Sequence, residues 1–210
     1  MFPPQTSPMR VFHFNRGYGY AVSGVSGAIA AGLAQDSLVL ALLCDPAQGN
    51  VAANHKLGMY FDRLALAFTT VAAFTTPITA GRRLGIYRAT GGQAATGGTP
   101  LTVAKKDAAN APASVCTSAQ IAAAGALGAA AGIAREATPI GTMDLTHVGT
   151  AGARQEFLFE LAAPGNAEIV LAPGELLVVS NPVAMDAGGT WQLTVKEAHW
   201  IEAMRQEATF

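Results

Sequence analysis

Apolar residues alternate with polar or small ones at period two over several short stretches of the chain, the spacing of strands rather than helices. Met9–Asn15 sets Val11 and His13 against Phe12 and Phe14, which predicts a short strand ended by the Gly-Tyr-Gly turn at 17–19. Ser37–Leu43 (SLVLALL) reads as a buried strand stopped by Asp45-Pro46. From Tyr60 to about Phe74 a long strand is expected, with Leu64, Leu66 and Phe68 on one face and Arg63, Ala65 and Ala67 on the other. Shorter strands follow at Arg83–Ala89, Leu101–Ala104, Ile169–Leu171 and Glu175–Ser180. Glu156–Leu161 turns Phe157, Phe159 and Leu161 inward and leaves Leu158 and Glu160 outside. The last strand runs from Thr190 to about Ile201, with Trp191, Leu193 and Val195 on its packed face.

Turn chemistry separates these runs. Asp45-Pro46, Pro77 with Gly81, Pro164-Gly165-Asn166, Pro173-Gly174, Asn181-Pro182 and Gly188-Gly189 are all turn signals. Gly91–Gly98 (GGQAATGG) reads as a flexible loop and Lys105–Pro112 (KKDAANAP) as a polar one. Two segments resist assignment. Residues 21–35 suit either an extended arm or a loose helix, and Gly24, Gly27 and Gly32 oppose the helix by about 1 kcal/mol each. The alanines of Ile121–Ile133 favour helix while Gly125, Gly128 and Gly132 oppose it, and the strand-type punctuation around them tips the segment towards extended structure. The pattern predicts one all-β body, an antiparallel β-sandwich or jelly roll, over residues 36–210, preceded by an extended N-terminal arm over 1–35.

Composition changes that picture in one respect. The chain of 210 residues carries 13 basic and 14 acidic side chains, a net charge of -1, and only 13% of it is charged. Nucleic-acid binding through a basic face is therefore not expected, because neutralising phosphates takes clustered Lys and Arg. With 43 alanines and 23 glycines, the 50% hydrophobic fraction overstates the large side chains available. A charge-poor, small-residue surface suits close contact with other protein surfaces. The start, MFPPQTSPMR, has no apolar core of the kind a signal peptide uses. Ala28–Leu43, interrupted by Gln35 and Asp36, is too short to span a bilayer, so no membrane partner is expected.

Chemistry is sparse in the sequence. Cys44 and Cys116 have no metal or redox spacing and read as small buried hydrophobes, with one disulfide bridge as the alternative. His13, His55, His147 and His199 lie in different elements with no ligand spacing, so neither metal nor cofactor is expected. On an alternating strand Glu197 and His199 share a face, which suggests a hydrogen-bonded pair beside Trp200 and Glu202. Asp45, Asp62, Asp107 and Glu156 read as solvated turn residues. No nucleophile elbow is present, and the glycine runs lack the Gly-Lys-Ser/Thr ending of a phosphate cradle. Lys105, Lys106 and Asp107 form the densest charge cluster before the C-terminus, either a solvated corner or an intersubunit ion pair.

The order of segments resembles a family of tailed-bacteriophage virion proteins over about residues 22–203. The likeness rests on SGAIAAGLAQDSLVLALL, RLALAFTTVAAFTT and RLGIYRATGGQAATGGTPLTVAKKDAANAPAS, then ATPIGTMDL, EFLFEL, IVLAPGELLVVSNP and a last strand ending in WIEA. The resemblance implies a β-sandwich component of the phage particle, foremost a capsid decoration (cement) protein, assembled in the host bacterial cytoplasm and resident in the virion. Its partners would be the major capsid protein and further copies of itself, with a trimer favoured. A head-fibre or tail accessory protein meeting the host surface is one alternative, and an enzyme on a jelly-roll scaffold is another. An aromatic content of 7% favours protein contact over carbohydrate recognition. Candidate contact residues are Phe2, Pro3 and Pro4 in the arm, Tyr18 and Tyr20 at an exposed tip, and Lys105, Lys106 and Asp107. The arm either reaches a neighbouring subunit or packs back on its own domain.

Overall fold

The computed structural model describes residues 18–30, 32–47, 57–75, 82–106, 111–128, 132–146, 148–160, 169–185 and 188–204. Among the described residues there is no helix. The strands are, in chain order, β1 (Tyr18–Val25), β2 (Ile29–Ala30), β3 (Leu38–Cys44), β4 (Leu57–Ala72), β5 (Arg83–Thr90), β6 (Gly98–Pro100) and β7 (Ala104–Lys105). They continue as β8 (Cys116–Ala122), β9 (Ala134–Arg135), β10 (Gly141–Asp144), β11 (Arg154–Glu160), β12 (Ile169–Leu171), β13 (Leu176–Ser180) and β14 (Thr190–Met204). Two antiparallel sheets result. One runs β11-β4-β14-β1-β7, with β12 beside β4 and β2 beside β14; the other runs β10-β5-β13-β3-β8-β6, with β9 beside β5.

The long pair β4 and β14 forms the middle of the first sheet, and its register contains a phase change. Trp191, Leu193 and Val195 face the core, yet so do Ala198 and Trp200, which strict alternation would turn outward. Val195 pairs with Leu66 while Glu197 pairs with Ala65, so Lys196 is an extra residue in β14. A bulge of this kind shifts the alternation by one and returns both tryptophans to the same side. β4 makes the matching adjustment: Trp200 pairs with Phe61 and His199 with Arg63, leaving Asp62 as the extra residue. Met59 and Phe61 thereby share the inner face with Leu64, Leu66 and Phe68.

The core between the sheets is aromatic on this side. Trp200 lies 6.3 Å from Tyr20 and 5.5 Å from Phe61, and Trp191 lies 5.2 Å from Phe68. Aromatic pairs at such spacings contribute about 1 kcal/mol each beyond area burial. Leu40, Leu42, Ile86, Leu177 and Val179 close the core from the second sheet.

A smaller apolar cluster lies on the other face of that second sheet. Leu38, Ala41, Leu43, Tyr87, Ala89, Leu176 and Val178 are covered there by Ala95 and Leu127, with Ala94 and Ile133 packed against them. This explains why β3 and β13 are buried along their whole length and read as uninterrupted apolar runs. It also assigns a job to the alanine- and glycine-rich segments. Ala94 and Ala95 in the Gly91–Gly98 loop, and Leu127 and Ile133 after β8, contribute to this cover, tied together where Thr96 bridges Gly128 and Leu38 bridges Leu127. After β8 the chain bends at 123–125 and forms isolated bridges at Leu127 and Gly128, without helix, and residues 129–131 lie outside the described residues.

Three expectations are corrected. Residues 18–30, assigned to the arm from sequence, are strands of the first sheet: β1 is inserted between β14 and β7, with Tyr20 and Val22 in the core. Their glycines serve close packing, since a Cβ on Gly24 would stand 2.4 Å from Leu101. The short strand expected at Leu101–Ala104 is displaced, with β6 ending at Pro100 and β7 beginning at Ala104. The segments forming β8 and β10 carry no strong alternation of large residues and were not predicted as strands. Residues 1–17, including the strand expected at 9–15, lie outside the described residues.

Ser26–Ala30 stitches the two sheets together. Ser26 N–H donates to the Leu193 carbonyl of the first sheet (2.8 Å) and Gly27 N–H to the Ala122 carbonyl of the second (3.2 Å). The buried Ser26 hydroxyl accepts from Leu193 N–H at 2.9 Å. Held from both sides, the Gly27 backbone has no room to yield, and a Cβ there would fall 1.6 Å from the Ala123 carbonyl oxygen. Gly27→Ala should therefore destabilise the fold by about 3 kcal/mol. Gly125→Ala, where a Cβ meets nothing within 4 Å, should change stability by less than about 0.5 kcal/mol. Urea denaturation of the two variants beside the parent chain measures both.

Candidate functional site

The two bulges leave their extra residues on the outer face of the first sheet, where they join a network of charged side chains. Asp62 and Arg63 on β4 lie opposite Lys196, Glu197 and His199 on β14. His199 Nδ1 and Asp62 Oδ1 are 2.6 Å apart and both half-buried. Glu197 is shared between Lys106 (3.0 Å) and Arg63 (3.7 Å). Lys196 reaches Glu156 on β11 at 2.8 Å, and Arg154 approaches the same carboxylate at 3.2 Å. The hydrogen bond from Lys106 holds the Glu197 carboxyl below the usual carboxylate range, and that from Lys196 does the same for Glu156.

With Glu160 at the end of β11, this face carries four basic and four acidic side chains (Arg63, Lys106, Arg154, Lys196, Asp62, Glu156, Glu160 and Glu197), electrically balanced and locally paired. Surface pairs of this kind contribute little stability singly, about 0–1 kcal/mol. Their consequence is a polar, ordered face whose charges are fixed in position. The Asp62–His199 contact is a carboxylate–imidazole pair, the kind of contact by which a carboxylate orients a histidine ring. Among the described residues Asp62 is the imidazole's hydrogen-bond partner, and no nucleophile completes the set.

The expected Glu197–His199 pair is thus replaced by two separate pairs. The bulge at Asp62 brings that carboxylate to His199, while Glu197 turns to the cations. Lys105 and Lys106 also bond within the chain: Lys105 Nζ donates to the Ala111 carbonyl and Lys106 to Glu197. Tyr20, expected at an exposed tip, is wholly buried, and its hydroxyl donates to the Pro112 carbonyl at 3.0 Å. Tyr18 is 43% exposed. Phe2, Pro3, Pro4, Asp107, His13, His55 and His147 lie outside the described residues. Among the described residues no group of three or more His, Cys, Asp or Glu is placed to hold a metal ion.

A second polar centre is buried, and the sequence reading missed its role. Glu202 is 5% exposed at the inner side of β14. Its carboxylate accepts from Trp200 Nε1–H (3.0 Å), from Val115 N–H (3.0 and 3.1 Å) and from the Ser114 hydroxyl. Ser114 Oγ in turn accepts from Cys116 N–H at 3.0 Å. Residues 114–116 lead into β8, so one carboxylate ties the first sheet to the second. Burial pushes its pKa up, and the hydrogen bonds from Ser114, Trp200 and the Val115 and Cys116 backbone oppose that shift without cancelling it. The signal was the Trp-x-Glu spacing at 200–202, legible only once the phase of β14 is known.

Cys44 and Cys116 are register partners on β3 and β8, both buried and both free thiols. Burial pushes the Cys116 thiol up to about 12, so it is unreactive at neutral pH. On the outer side of the second sheet, Arg135 lies 3.9 Å from the Tyr87 ring centroid and pairs with Asp36, which occupies a left-handed turn (φ 64°). Asp36, Leu38, Ile133 and Arg135 line a shallow, open groove there.

Removing the Glu202 carboxylate leaves the buried Trp200 indole N–H and two half-buried donors without their acceptor, so Glu202→Ala should cost about 3 kcal/mol, and Glu202→Gln less. Because the folded-state pKa of Glu202 is raised, the native state binds its proton more tightly than the unfolded chain does. Its contribution is therefore full below the ordinary carboxylate pKa and declines as pH rises through the raised value. Denaturation midpoints from about pH 4 to 8 should show this decline in the parent chain and its loss in Glu202→Gln.

Comparison of the chain with protein-family models, with curated proteins and with solved structures finds no match.

Proposed function

We propose that this chain is a structural subunit of a tailed-bacteriophage particle: a capsid decoration protein, wound as a jelly roll, that contacts major capsid subunits and its own copies. The observation that carries the reading is the order of the eight principal strands β1, β3, β4, β5, β10, β11, β13 and β14. The first is hydrogen-bonded to the eighth, the second to the seventh, the third to the sixth and the fourth to the fifth. A long two-stranded ribbon rolled across two sheets would produce this nesting, which supports a jelly-roll winding of the kind that builds viral shells as well as lectins and cupins. β6, β7 and β8 belong to the excursion between the fourth and fifth strands.

The polar groups support a structural role over the jelly-roll enzyme. Glu202 works as a tie between sheets, and the Asp62–His199 bond belongs to an outer-face network. That face, balanced in charge and ordered by ion pairs, suits contact with other protein surfaces, where fixed charges set register more than affinity. Many modest contacts repeated over a symmetric shell add up through avidity.

Quantitative mass spectrometry of the purified phage particle tests the reading. A copy number comparable to that of the major capsid protein is expected. A number matching a single vertex or tail would move the chain to a fibre or tail accessory role, and absence from the particle would overturn the proposal.

A further inference from the structure

The four edges of the two sheets are not alike. β7 has two residues, β6 three, ending in Pro100, and β10 four. Short strands and proline are the ordinary ways of blunting an edge against unwanted pairing. β11 differs: it is seven residues long, contains neither proline nor glycine, and among the described residues pairs with β4 alone. Its apolar residues are also incompletely covered. Leu158 is 51% exposed on the outer face, and Phe157 and Phe159 on the inner face are only partly buried at the open end of the core.

We propose that β11 is the seat of a two-fold contact between copies of this chain, in which two β11 strands pair antiparallel and join the first sheets of the two copies. The sequence of β11 selects both the occupant and the register. In an antiparallel pair centred on Phe157, Arg154 of each copy lies directly opposite Glu160 of the other, at both ends of the contact. Glu156 lies opposite Leu158, and the two Phe157 rings meet across the axis on the core side. A two-fold interface must be complementary to itself, and a strand with a cation at one end, an anion at the other and apolar residues between them meets that condition. Opposite charges directly across a ladder attract, and like charges there repel. The charges that keep other strands off this edge thus admit a second copy in one register.

The contact stands apart from the phage reading: its failure leaves that reading untouched, and it would hold for a subunit of any assembly. Sedimentation of the full-length chain over a range of concentrations should show reversible dimers. Arg154→Glu and Glu160→Arg each place like charges opposite one another at two positions and should weaken association about tenfold or more, whereas the double reversal restores it. Both substitutions are at exposed positions, and circular dichroism checks that each of the three variants is folded. Register is read independently by mixing Glu156→Cys and Leu158→Cys chains under mild oxidation. The mixture should yield a disulfide-linked dimer that neither variant forms alone. A chain that is monomeric at all concentrations overturns the proposal, as does self-association indifferent to the charge reversals.

Discussion

Both tryptophans of the chain sit on β14, and both must reach the same core. Trp191 and Trp200 are separated by an odd number of positions, so a regular strand would bury one and expose the other. The extra residue at Lys196 resolves this, and the bulge at Asp62 keeps the neighbouring strand in step. Much else follows from this phase change. It aligns Trp200 with Tyr20 and Phe61, turns Glu202 inward to meet the start of β8, and leaves charged residues in adjacent positions on the outside. Core packing, the tie between the sheets and the outer ion-pair network therefore share one origin.

The division of labour between small and charged residues follows the same layout. From composition, the alanines and glycines suggested an uncharged working surface. Many of them instead line or cover the second sheet: Ala41 and Ala89 lie under Ala95, and the segments bearing Gly97 and Gly128 lie side by side. Small residues let two layers of backbone lie close without a bulky core between them. Charged side chains on the first sheet form pairs that span β11, β4, β14 and the corner after β7, and the second sheet carries its own pairs, Arg83–Asp144, Arg88–Glu136 and Arg135–Asp36. The two broad faces of the sandwich are thus unlike, one covered by the chain itself and the other polar and ordered.

The strand positions were largely legible. Expected and observed bounds coincide for Ile169–Leu171 and differ by a residue or a few for β3, β4, β5, β11, β13 and β14. Those segments bury large side chains on at least one face, so the pattern is written in residue types. β1, β8 and β10 were harder because small residues occupy much of them, and what they gain comes from the strands beside them. The sites were less legible than the fold. His199 was singled out with the wrong partner, and Glu202 was noticed only as its neighbour, since both assignments depend on register.

By itself the sequence determined that the protein is all-β, where most of its strands run, and that large side chains alternate along them. These properties are local: each depends on side-chain volume and polarity at nearby positions, which a strand of period two converts directly into faces. Tertiary structure alone decided which strands are neighbours, where the alternation slips, and which polar groups meet. Asp62 and His199, or Ser114 and Glu202, are far apart in the chain, and no local pattern encodes their encounter. Their meeting is settled by the requirement that two sheets bury Trp191 and Trp200 in one core, and the bulges that satisfy it leave no mark in residue type.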